Sequence, residues 1–186
     1  MSLKNKIINV INELNLNLSG KIVLTEAASG AYVVTPIIAA LAGAKVYAFT
    51  KNTKYGTVDE VKKLTFELAS LFENLNIEII DELTPEIISE ADVITNSGHL
   101  RPINENILKH LKENAVIPYM FEAWEFREED LDLKYCKKLA IKVAATNERH
   151  PNIDVFNYLG ELAIKLIHDA GKCLYKNKFI IISNND

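Results

Sequence analysis

Glycine is scarce in this chain, 7 of 186 residues, and so are proline (5), cysteine (2) and tryptophan (1). Cys136 and Cys173 lie far apart, with neither a CxxC partner nor zinc-ligand spacing. That excludes a disulfide framework and leaves two idle thiols, as expected of a protein in a reducing cytoplasm. No apolar run is long enough to cross a bilayer and no signal peptide is recognisable, so neither a membrane partner nor export is expected. An excess of basic charge is also missing: the net charge is −4, with lysines spread among acids, which argues against nucleic acid. The four histidines show no HxH or HExxH spacing, so no metal site is expected. Neither a GxSxG elbow nor a Walker loop occurs.

What is present is ordinary globular composition, 48% hydrophobic and 25% charged, at a length suited to one well-buried domain. Residues 3–16 place Ile7, Val10, Ile11 and Leu14 at helical spacing. After the Ser19-Gly20 turn come six short strand segments, at 22–24, 45–50, 77–80, 92–98, 115–121 and 141–147, the fourth running into a polar turn. The first is apolar on both faces, as suits a central parallel strand. Helical segments alternate with these strands. "PIIAALAGA" ends on Gly43, suited to a left-handed cap. Residues 58–75 set Val58, Val61, Leu64, Leu68, Leu71 and Leu75 on one face, and Thr84-Pro85 opens a capped helix. Residues 104–114 and 153–170 read as two more helices, 128–139 as helical or irregular.

Strand and helix in alternation call for an α/β fold: a single doubly wound, mostly parallel six-stranded sheet in the order 3-2-1-4-5-6. The whole chain, 1–186, reads as one domain: an N-terminal helix over 1–17, a core over 18–170, and a tail over 171–186 whose "KFIII" is a candidate added strand.

Three stretches then carry a resemblance. "LSGKIVLTEAASGAYVVTPIIAALAGAKVYAF", "EADVITNSGHLRPINENILKHLKENAVIPYM" and "VAATNERHPNIDVFNYLGELAIKLI" resemble the first, fourth and last strand–helix units of the Rossmann-type NAD(P)-binding domain shared by S-adenosylhomocysteine hydrolases and D-2-hydroxyacid dehydrogenases. The likeness covers about residues 18–170. It implies a nucleotide-cofactor-binding protein, an NAD(P)-dependent oxidoreductase or its cofactor-binding subunit. The departures are specific. Ala27, Ser29 and Tyr32 stand where GxGxxG has its glycines, and Gly30 takes part of that role if the loop is re-registered. If Thr35 caps the next helix and Pro36 opens it, residues 26–35 form a long loop with Tyr32 turned to a ligand. Strand two ends in Thr50-Lys51 where NAD binders carry an acid, which favours NADP over NAD. The substrate domain usual in that family is absent, so a homodimer or a separate catalytic subunit is the expected partner. The first stretch also resembles the opening motif of S-adenosylmethionine-dependent methyltransferases, where an acid follows strand one; S-adenosylmethionine or S-adenosylhomocysteine is therefore the alternative cofactor. A non-catalytic ligand-sensing or assembly subunit is the third reading.

In an open parallel sheet the ligand lies beyond the carboxyl ends of the strands. There the sequence places a polar rim: Glu26, Ser29, Gly30 and Tyr32 after strand one; Thr50 and Lys51 after strand two; Asn96, Ser97, Gly98, His99 and Arg101 after strand four; Glu122 and Trp124 after strand five; Thr146, Asn147, Glu148, Arg149 and His150 after strand six. The expected roles are proton transfer for His99 and His150, and anion or substrate contact for Arg101, Glu122 and Arg149. Glu26, Ala27, Ser29, Gly30, Tyr32, Thr50, Lys51, Asn96, Ser97, Gly98, Thr146 and Asn147 are the expected cofactor contacts. His110 and His168, within helical segments, are expected to be structural.

Overall fold

A computed structural model describes residues 2–122, 125–153, 156–180 and 182, with Glu122 described by its backbone alone. The chain divides into two compact units, Met1–Thr146 and Asn147–Asp186.

The first unit holds all six strands: β1 (Ile22–Glu26), β2 (Lys45–Phe49), β3 (Ile77–Ile80), β4 (Val93–Ile94), β5 (Val116–Glu122) and β6 (Lys142–Thr146). Every neighbouring pair is parallel, and the order is 3-2-1-4-5-6. Between β1 and β4 the order reverses, because β1's sequence successor lies on one side of it and β4 on the other. Parallel pairing forces a crossover between consecutive strands; among the described residues α1 (Leu3–Glu13) precedes β1, and the crossovers carry α2 (Val34–Leu41), α3 (Val58–Ala69), α4 (Pro85–Glu90), α5 (Glu105–Leu108) and α6 (Leu133–Lys138).

The strand pleat sorts the core into two layers. Val23, Val46 and Ala48 face one way, with Ala39 and Ala40 of α2 and Val61 of α3. Leu24, Tyr47 and Phe49 face the other, with Ile88 of α4, Leu108 of α5 and Cys136 of α6. Alanines on α2 bring that helix close to the sheet. Gly43 then takes φ +98°, where a Cβ would lie 2.7 Å from the Ser19 hydroxyl. At the same, amino-terminal end of the sheet Asp92 ties two central strands: its carboxylate accepts from the Ile22 amide at 2.8 Å and pairs with Lys112 at 3.1 Å. Burial alone would raise its pKa, but that amide and the lysine outweigh burial and hold it below the usual carboxylate value.

Several boundaries differ from the sequence reading. α3 begins at a capping box, where Thr57 Oγ1 accepts from the Glu60 amide and the Glu60 carboxylate accepts from the Thr57 amide. It ends at Ala69 rather than at residue 75, buries Val61 and Thr65 and leaves Leu64 exposed, as is Leu71 beyond its end. Thr65 can be buried because its hydroxyl donates to the Val61 carbonyl at 2.9 Å. α5 is four residues long rather than eleven, since the chain must turn at 109–114 to bring Ala115 beside β4. Pro85 opens α4 and Thr84 caps it, as the sequence implies.

The second unit contains α7 (Tyr158–Asp169), none of whose described residues is buried. The described residues of the tail form no strand, so "KFIII" is not an added strand over 178–180; Ile181 lies outside the described residues.

Candidate active site at the strand-order reversal

The carboxyl ends of β1 and β4 meet through hydroxyls. Thr25 Oγ1 and Thr95 Oγ1 are 2.8 Å apart, and Thr95 Oγ1 and Ser97 Oγ are 2.7 Å apart, all buried. Above them the chain leaves β1 through Ala27–Ser29 into a 3₁₀ turn, Gly30–Val33, that runs on into α2. Gly30 has φ +67° and open space where a Cβ would stand. The cap expected at Thr35-Pro36 is not there: α2 starts at Val34, so Pro36 is its third residue. Its missing N–H costs nothing at that position, because the first four helical amides have no intrahelical acceptor.

This turn and the segment after β4 enclose a cavity of about 610 Å³, lined also by the turn after β2 and the end of β5. Of the residues expected at the rim, Glu26, Ser29, Gly30, Tyr32, Asn96, Ser97, Gly98, His99 and Arg101 line it. Tyr32 is exposed at the cavity wall.

Glu26 is only 4% exposed. One carboxylate oxygen accepts from the His99 amide at 3.3 Å. Gly98, at φ +33°, leaves room for that carboxylate: a Cβ there would sit 1.6 Å from Oε2. Asn96 is fully buried; its Oδ1 accepts from the Met120 amide, while its Nδ2 has no partner among the described residues. His99 is half-buried, and burial pulls its imidazole pKa below 6.5, with Lys51 adding to the effect and Glu26 opposing it. The imidazole is therefore neutral at neutral pH and able to accept a proton. Arg101 is partly committed: it pairs with Asp130 at 3.2 Å and lies 4.9 Å over the Phe121 ring.

Other expected residues fall elsewhere. Ala27 is fully buried in the layer under α2, its amide donating to Phe49 O. Thr50 is also fully buried, its hydroxyl without a partner among the described residues. Lys51 is exposed and, like Thr146, outside the cavity lining. The Glu122 side chain and Trp124 lie outside the described residues. Asn147, Arg149 and His150 belong to the second unit and form a local turn there. In that turn Asn147 Oδ1 accepts from the Arg149 amide, His150 Nδ1 accepts from the Asn152 amide, and Arg149 stacks on Phe156 at 5.8 Å.

Sequence reasoning placed Thr50 and Lys51 after β2 but missed the residues of that turn that line the cavity. Thr53, Tyr55 and Gly56 line the cavity, and the Ser29 hydroxyl donates to the Tyr55 carbonyl at 3.3 Å. Its signal was available in the turn-forming Lys54-Tyr55-Gly56 run. Met120 and Phe121 also line the cavity, where the sequence suggested only strand.

Several solved structures share this architecture. Shikimate 5-dehydrogenase of Listeria monocytogenes, a complex with shikimate and NAD, superposes with TM-score 0.54 at 15% identity, over 76% of this chain and 50% of that one. A dipicolinate synthase from Bacillus subtilis gives 0.53 at 16% identity, over 90% and 52%. Its counterpart from Bacillus halodurans gives 0.52 at 16%, over 88% and 52%. The fold is Rossmann-like. At these identities the likeness concerns fold alone, and the chain spans about half the length of these neighbours. No protein-family model and no curated protein sequence matches the chain.

Proposed function

We propose that the cavity between residues 26–32 and 96–101 binds a nucleotide cofactor, and that the chain is an NAD(P)-dependent oxidoreductase or the cofactor-binding subunit of one. The observation that carries this is the convergence of both segments on one cavity where the strand order reverses, the place open α/β sheets use for ligands. Its volume suits a small-molecule site, which typically measures about 300–1,000 Å³. Lys51, exposed after β2, suits a 2′-phosphate and favours NADP(H) over NAD(H). His99, neutral and in the lining, is the group to accept a proton from a substrate hydroxyl.

Against a dinucleotide the residues fit unevenly. The Gly30 turn is open enough for phosphate to approach, but the buried Glu26 carboxylate lines the same cavity and repels it. Glu26 favours a second reading, an S-adenosylmethionine or S-adenosylhomocysteine site, in which the acid after strand one meets a ligand without phosphates.

A thermal-shift panel of NADPH, NADH, S-adenosylmethionine and S-adenosylhomocysteine separates the two, since a ligand of the folded state raises its apparent stability. Stabilisation by the reduced nicotinamides supports the first reading and by the adenosyl compounds the second. Lys51→Ala is expected to weaken NADPH about tenfold and NADH little, from loss of one phosphate contact; equal losses would remove the case for the 2′-phosphate.

A further inference from the structure

Among the described residues Glu26 is the one acid in the cavity lining, and its surroundings leave it incomplete. Its residue is 4% exposed, and its one hydrogen bond among those residues is a 3.3 Å contact from the His99 amide to one oxygen. Among the described residues no lysine or arginine forms an ion pair with it. Arg101, in the same lining, is paired with Asp130 instead. Its second oxygen is left to the cavity with neither a cation nor a protein donor among the described residues, a place for a partner to complete. Gly98 holds the geometry open: only a residue without Cβ lets the segment after β4 lie against the carboxylate. In the same lining Asn96 carries a buried Nδ2 without an acceptor among the described residues, a second polar group left unfinished.

We propose that Glu26, set against Gly98 and the His99 amide, is the subsite for a protonated amine of the cavity's ligand. A charged N–H donor meets the free carboxylate oxygen, and the ammonium charge replaces the cation that the protein does not supply. The inference rests on the cavity being a nucleotide site and sharpens its second reading: the bound nucleoside carries an amine and no diphosphate next to strand one.

The test uses the whole chain, wild type and Glu26→Gln, in calorimetric titrations with S-adenosylhomocysteine, its N-acetyl derivative and NADPH. The two adenosyl ligands differ by the ammonium charge and the small acetyl cap. The wild type is expected to favour the free amine by about tenfold or more, the range of a hydrogen bond to a charged group. Glu26→Gln, of equal size, should close that gap and bind NADPH more tightly than the wild type does. A free-amine preference that survives Glu26→Gln overturns the subsite, as does a wild type that does not distinguish the two adenosyl ligands. Binding of NADPH alone by the wild type also overturns it, while leaving the cavity a nucleotide site. Silence with all three ligands overturns the nucleotide site itself and the subsite with it. The melting temperature of free Glu26→Gln, expected at or above wild type because the substitution keeps the size of a side chain that no lysine or arginine pairs among the described residues, shows that the variant is folded.

Discussion

Gly98→Ala perturbs the contact that holds Glu26 in the cavity wall. The new methyl would lie 1.6 Å from Glu26 Oε2 and 2.7 Å from its Cδ, so the carboxylate must leave. Its path is open, because the side chain ends in a 610 Å³ cavity. Two costs follow. Holding an L-residue at φ +33° in the left-handed region costs about 1–2 kcal/mol. Losing the His99 amide costs about 1.5 kcal/mol, the lower end for a charged acceptor, since the bond is long at 3.3 Å. Gly98→Ala should therefore destabilise the protein by about 3 kcal/mol. With Glu26→Ala already in place there is nothing to strike, and the same substitution should cost only the backbone share, about 1–2 kcal/mol. Urea unfolding of the wild type, both single variants and the double variant gives the coupling, expected at about 1.5 kcal/mol. Costs that add to within about 0.5 kcal/mol would show that the carboxylate does not rest against Gly98, and the amine subsite would lose its geometry.

Titration and thiol reactivity give two further tests. His99 has a folded pKa below its ordinary value of 6.5, so the unfolded chain binds more protons between the two values. Its contribution to stability is complete above 6.5 and is lost as pH falls towards the folded pKa; urea midpoints at about pH 7.5 and about pH 5.8 should differ less for His99→Gln than for wild type, and an unchanged difference would refute the shift. Cys136 is buried, which pushes its thiol up to about 11, whereas Cys173 is exposed. Iodoacetamide at about pH 8 should label Cys173 in the native protein and reach Cys136 only after unfolding, and equal labelling rates would place Cys136 at the surface.

The fold was largely legible because its signals are local or topological. Six strand segments flanked by turn residues can be counted, and parallel pairing with right-handed crossovers leaves few orders for six strands. What misled was periodicity without chemistry. The face drawn through Val58, Val61, Leu64, Leu68, Leu71 and Leu75 did not include Thr65, yet a threonine that bonds to the carbonyl one turn back behaves as an apolar residue in the core. Likewise Thr35-Pro36 has the pattern of a helix start, but proline is tolerated anywhere in the first turn, so the motif could not fix which residue opens α2.

The cavity was legible for a different reason, and incompletely. The rule that ligands bind where strand order reverses depends on topology alone, so it named both walls, Glu26–Tyr32 and Asn96–Arg101, without reference to any side chain's orientation. It could not say which polar residues at those ends face inward. Ala27 and Thr50 follow their strands as closely as Glu26 ends its own, yet the first two close against the sheet. Glu26 differs because Gly98, far away in sequence, gives up the volume its carboxylate fills. A glycine read alone suggests close approach of a ligand to the backbone. Here the approaching group is the protein's own acid, and the carboxylate thus fixed in the cavity, more than the loss of the glycine fingerprint, bears on which ligand the proposed site would accept.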